Sequence, residues 1–287
     1  LGLFEADSDD TDLYSSGDDA EGQCYNDGGT AFDESVTIDG GGTVGLNSLT
    51  LTVAEGERHD GTAGTGARIV RTANVAPGIW VASPANKVYI VKWLELTRSS
   101  GSENVDVYVD LNAGDVDSIN CAFNMIVHDS AGEGNYNGRG IMGAGNNRVY
   151  RICNNIVYNL SYDGTQTDES CIGITARGSQ GGLTYNNTVH DIRNDNASST
   201  VDTTGVLIQD NGNVECQNNL ATDVTTQGSG SGLCFDPTSF SNATVSHNAS
   251  SDATASGTGS LTSITTADQY VSTSPVDLHK KSGSVCI

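Results

Sequence analysis

Five acidic or amide residues recur along this 287-residue chain at nearly one spacing: Asp129, Asn159, Asp191, Asp223 and Asp252. Each is the sixth residue of a similar block: NMIVHD from Asn124, NNIVYN from Asn154, NNTVHD from Asn186, NNLATD from Asn218 and HNASSD from His247. The blocks begin 30, 32, 32 and 29 residues apart. If successive repeats stack as neighbouring strands, Asp191 and Asp223 hold carboxylates about 5 Å apart, and Asp129 and Asp191 about 9.6 Å apart. Those separations suit the carboxylate pairs of retaining and inverting glycoside hydrolysis respectively. The fifth position carries His128, Tyr158, His190, Thr222 and Ser251, where an imidazole could bind a sugar or move a proton near neutral pH. Asp129, Asp191, Asp223 and His190 are thus the candidate catalytic residues. Two readings compete with catalysis: a cation site, and the tendency of Asp and Asn to end strands and hydrogen-bond their own turns.

The elements that would position such a column follow from the repeat itself. Gly140, Gly173, Gly205 and Gly232 begin or sit within a short apolar run 13 to 15 residues before the next block, so each repeat holds at least two short strands and a turn. A helical repeat is disfavoured, because stretches such as NNTVHDIRNDNASSTVDTTGVLIQDNG are rich in β-branched residues, Asn and Gly and have no capped amphipathic face. Coils that stack bury a continuous apolar core that one coil could not bury alone. The reading is an all-β, parallel β-helix with coils of about 30 residues, in which Asn124, Asn154, Asn186 and Asn218 form a structural ladder at a corner. Asn tolerates the left-handed backbone that a sharp bend needs, and stacked amides bond along the axis. Leu94 is expected to occupy the same corner one coil earlier, without an amide.

Charge and cysteine content narrow the partners. The net charge is −23, with no Lys or Arg before Arg58 and none between Arg193 and Lys280. A polyanion repels nucleic acid and anionic membranes, and no apolar run is long enough to cross a bilayer. Residues 1 to 34 hold eleven Asp or Glu and no base; we read them as an acidic N-terminal cap on a β-helix of residues 35 to 287. No cofactor is expected other than calcium, for which Asp7, Asp9 and Asp12 are the hard oxygen ligands, although the glycine and closing glutamate of an EF-hand are missing. The seven cysteines are too dispersed for a zinc knuckle. They read either as small buried hydrophobes or as disulfides within or between chains, with Cys24 and Cys286 as the candidates.

The coil length, the Asn corner and the short apolar strands resemble the right-handed parallel β-helix superfold of pectate-lyase-like enzymes, phage tailspikes and β-helix repeat proteins of phages and uncultured bacteria. GQCYNDGGTAFDESVTIDG and ERHDGTAGTGARIV look like opening coils of such proteins, and DLHKKSGSVCI like a closing segment. The resemblance spans roughly residues 20 to 287. A lyase of this superfold needs an Arg or Lys base beside calcium-binding carboxylates, and Arg151 and Arg177 lie in no matching motif. The expectation is a non-enzymatic structural protein of an extracellular or virion surface: a decoration, fibre or filament subunit that self-assembles or joins other surface proteins. The alternative is a β-helix that binds or degrades a polysaccharide, as lyase or glycoside hydrolase.

Overall fold

The computed structural model describes residues 7–8, 10–38, 44–72, 77–81, 88–98, 108–111, 118–129, 138–144, 149–177, 181–209, 214–236, 243–274 and 276–285. Asp9 and Cys286 lie outside them. The described chain winds through three parallel sheets of eight, seven and seven strands, so each coil contributes one strand to each sheet in turn. One coil shows the pattern: Val149–Cys153 in the first sheet, Ile156–Tyr162 in the second and Ile172–Arg177 in the third. The next coil repeats it with Gly181–Tyr185, Thr188–Asn194 and Thr203–Gln209. The parallel β-helix read from the repeat is therefore the fold. Parallel pairing starts at Asp19–Cys24, which pairs residue for residue with Ser48–Val53.

Apolar residues fill the interior because alternate residues of each strand face it. In the third sheet Ile79, Val109, Ile141, Ile174, Val206 and Phe235 stack coil upon coil, all essentially inaccessible. Ile69, Leu96, Val127, Val157, Val189 and Ala221 do the same in the second. The third sheet also carries a glycine column, Gly140, Gly173 and Gly205. A Cβ on Gly173 would lie 2.7 Å from the Gly205 carbonyl oxygen in the next coil. The column continues into Cys234, not Gly232, which pairs with Thr203. The glycine spacing thus drifts by two residues in that coil.

Between the first and second sheets the chain turns in two residues. The first of the pair is left-handed: Trp93 (φ 68), Asn124 (52), Asn154 (60), Asn186 (56), Asn218 (57) and His247 (54). Trp93, and not Leu94, holds the early corner; Leu94 is the buried residue after it. The corner amides of Asn154, Asn186 and Asn218 are exposed, and the first two are joined by an Asn186 Nδ2 to Asn154 Oδ1 bond of 3.1 Å. The second residue of the pair forms a buried ladder. Oδ1 of Asn155, Asn187, Asn219 and Asn248 accepts the backbone N–H of Met125, Asn155, Asn187 and Asn219 respectively, at 2.9–3.1 Å. Each of these four amides also donates to a carbonyl one coil back, those of Ala122, Ile152, Thr184 and Cys216.

A buried amide that loses its partners strands donors and acceptors out of reach of water, at about 1–3 kcal/mol per group. Replacing Asn187 by Ala should lower stability by on the order of 3 kcal/mol, whereas Asn186→Gly, which keeps the left-handed bend, should cost under about 1 kcal/mol. Thermal unfolding followed by circular dichroism separates the two; equal losses would mean that the exposed amides hold the corner.

Candidate functional site

The fifth and sixth block positions come together on the second sheet. His128 pairs with Tyr158, Tyr158 with His190 and His190 with Thr222, so the fifth position is one column on the outer face. The sixth position steps out of the ladder: Asn159, Asp191 and Asp223 have φ of 53°, 54° and 55°. Asp and Asn recur there because they accept a left-handed backbone better than other side chains with a Cβ.

The outer face of this sheet is itself covered. An antiparallel hairpin, Tyr270–Thr273 with Val276–Lys280, buries Tyr270 and Leu278 in one cluster with Ile126, Tyr158, Leu220 and Ala249. Ala63 from the loop after Glu55–Glu57 packs against the same cluster. His279 joins the two covers, with Nε2 3.3 Å from the Asp60 carbonyl oxygen.

Each candidate side chain makes specific contacts under or beside this cover. Asp129, 4% exposed, accepts two bonds from Arg98 at 2.7 and 2.6 Å, the bidentate geometry that suits a guanidinium and a carboxylate. His128 stacks on Tyr158 with ring centroids 4.7 Å apart, and its Nε2 lies 2.9 Å from Glu95 Oε1. Glu95 Oε2 accepts the Gly64 N–H at 2.5 Å. Burial pushes the Glu95 pKa up, but the bonds from His128 and Gly64 outweigh it and hold the carboxyl below its ordinary value. His190, 4% exposed, shares a 3.0 Å bond with Thr222 Oγ1, which reaches the Tyr270 hydroxyl at 3.2 Å. Asp223 Oδ2 is 3.7 Å from His190 Nδ1, and Oδ1 accepts a bond from Thr266 at 2.8 Å. Asp191 pairs with Arg193 at 3.2 Å. Asp252 ties the last coil together by accepting bonds from the Cys234 and Thr254 N–H groups.

The repeat thus brings His190 and Asp223 together and sets Asp129 apart in an ion pair of its own. Glu95 and Arg98 were not singled out from the sequence; both lie about one repeat before their partners, and that spacing was the signal available. Among the described residues no three His, Cys, Asp or Glu side chains converge on a point where a metal could sit. Asp7 and Asp12 are both exposed, and the Asp12 N–H bonds to Asp10.

The described cysteines form no disulfide. Burial raises the Cys24 and Cys234 thiols to about 11 and those of Cys121 and Cys216 to about 12, so they pack as neutral hydrophobes. Cys24, at 3% exposure, is placed to fill the core rather than to staple a neighbour.

Comparison with known protein families, curated proteins and solved structures finds no match for this chain. The resemblance noted above therefore carries the fold, and a phage or environmental bacterial origin gains no support.

Two measurements test the buried contacts. Removing one partner of a buried ion pair leaves an uncompensated charge, so Asp129→Asn should destabilise by about 3 kcal/mol or more; an unchanged thermal midpoint would mean that the pair is not structural. Burial lowers the His190 proton affinity despite the opposing charges of Asp223 and Asp191, and burial acts in the same direction on His59. An unfolded imidazole takes up its proton as pH falls through about 6.5, and the folded one only lower. The unfolded state then binds more protons, and stability falls on acidification. The thermal midpoint should drop between about pH 7 and 5.5, and less so in His190→Gln. His279, raised by its bond to Asp277, has the opposite sign but is exposed and screened.

Proposed function

We propose that this chain is a non-enzymatic structural protein, an acidic β-helical subunit of an extracellular or virion surface that assembles with its own copies or with other surface proteins. The observation that carries this reading is the fate of two of the four candidate catalytic residues, while Asp191 and Asp223 stay partly open beside Arg193 and Thr266. Asp129 is neutralised by Arg98 inside the fold, and His190 lies under the Tyr270 hairpin. A general acid or base must reach its substrate within hydrogen-bond distance, directly or through one water, and neither group is open to a polymer. The acidic, Ser-, Thr- and Asn-rich surface supports the same reading, since high net charge keeps a protein dispersed until specific contacts or counter-cations bring copies together.

Electron microscopy of the purified chain, with and without millimolar divalent cations, should show ordered fibres or arrays. A parallel assay on polygalacturonate, xylan and β-glucan should release neither reducing ends nor unsaturated products. Dispersed monomers in every condition, together with turnover that Asp191→Asn or Asp223→Asn abolishes, would replace this reading with a polysaccharide-degrading one.

A further inference from the structure

The exposed corner between the first and second sheets lies along two depressions in line. The larger, about 610 Å³, runs past Asn186, Asn218 and His247 and is walled by Leu261, Lys280 and Val285. The smaller, about 350 Å³, runs past Trp93, Asn124 and Asn154 and is walled by His59 and Asp60. Asn154 and Asn186 occupy adjacent coils and bond to each other, so the second depression takes up where the first ends. Six corner positions span five coil steps, roughly 24 Å.

Two properties of this track stand out from the rest of the molecule. The chain has 36 Asp and Glu residues and a net charge of −23, yet none of the 13 residues lining the larger depression is acidic and Asp60 is the one acid lining the smaller. Apart from Lys280 its rim is apolar and open, with Leu261 and Val285 42% and 59% exposed, while its floor presents amides at a one-coil repeat.

We propose that this corner is a binding groove for an extended, neutral glycan. Amides at one-coil intervals match hydroxyl groups on successive sugar rings, because an extended hexose chain advances by about one strand spacing per ring. The apolar rim suits the C–H faces of the rings. An anionic polymer is disfavoured by the field of the whole chain, and the one cation in the larger depression, Lys280, sits over the Tyr270 ring at 4.9 Å. An extended peptide is disfavoured because strand addition needs an open row of backbone groups. Here the corner N–H groups of Asn124, Asn154, Asn186 and Asn218 already donate to carbonyls of the next coil.

Isothermal titration with cello- and manno-oligosaccharides of one to six rings, with polygalacturonate for comparison, tests the proposal on the intact chain. Affinity should rise with length to about five rings and exceed that for polygalacturonate. Asn186→Gly with Asn218→Gly keeps the left-handed backbone and should weaken binding about tenfold or more with the fold intact. Asn218→Asp, isosteric and tolerated at left-handed positions as Asp191 and Asp223 are, should also weaken it. Absence of binding in both series, affinity independent of length, tighter binding of polygalacturonate, or undiminished binding by the variants would each overturn it.

Discussion

The rest of this structure depends on one interaction, the hydrogen bond that each buried corner amide makes to the coil before it. A parallel β-helix has no local device that sets where one coil lies on the next, since its sheets join residues some 30 positions apart. Asn155, Asn187 and Asn219 supply that device at a 32-residue step. Their carbonyl oxygens take the N–H that the bend would otherwise strand, and their amide nitrogens donate both to a carbonyl of the previous coil and to the Asn of the next. With that corner pinned, the strands on both sides fall into register. A slip of one residue would turn every interior side chain outward, so the ladder determines which residues face the core.

Much of this was legible in the sequence, for identifiable reasons. A left-handed corner narrows the choice of residue, so Asn124, Asn154, Asn186 and Asn218 stood out by type and spacing. The buried ladder one residue later was not read from the sequence, because the two positions look alike there: the first departs from Asn once, at His247, and the second once, at Met125. Trp93 was not legible: an indole at φ 68° gives no pattern to recognise, and it is held by the ring of His59 and by Arg58 5.1 Å from its centroid. Nor was the cover over His190, because it comes from residues near 270 whose local sequence says nothing about where they dock. The acidic column was visible while its role was not, since one short polar side chain serves a bend, an ion pair and a catalyst equally well.

The second sheet is therefore a wall between two apolar layers. Its inner face belongs to the core of the helix, and its outer face to the smaller cluster beneath the hairpin. That explains why residues of a surface strand such as Thr188–Asn194 are mostly buried on both sides, as expected for parallel sheets. It also explains why titratable groups there are paired: in a layer with little water, an unpartnered charge would cost more than the fold has to spare.

The contact of His279 with the Asp60 carbonyl brings together positions 219 residues apart in sequence. A stack of coils that touch only their neighbours is a one-dimensional chain, able to melt from either end and to nucleate at any coil. This latch changes the dimensionality of the problem. It runs along the flank and fastens the last segment to an early coil, so loss of the terminal coil must first break a contact anchored far from it. The cost falls on kinetics: a closure over so long a loop forms late and slowly. Once made, and backed by Ala63 packed against the cluster beneath the hairpin, it couples the last segment to an early coil.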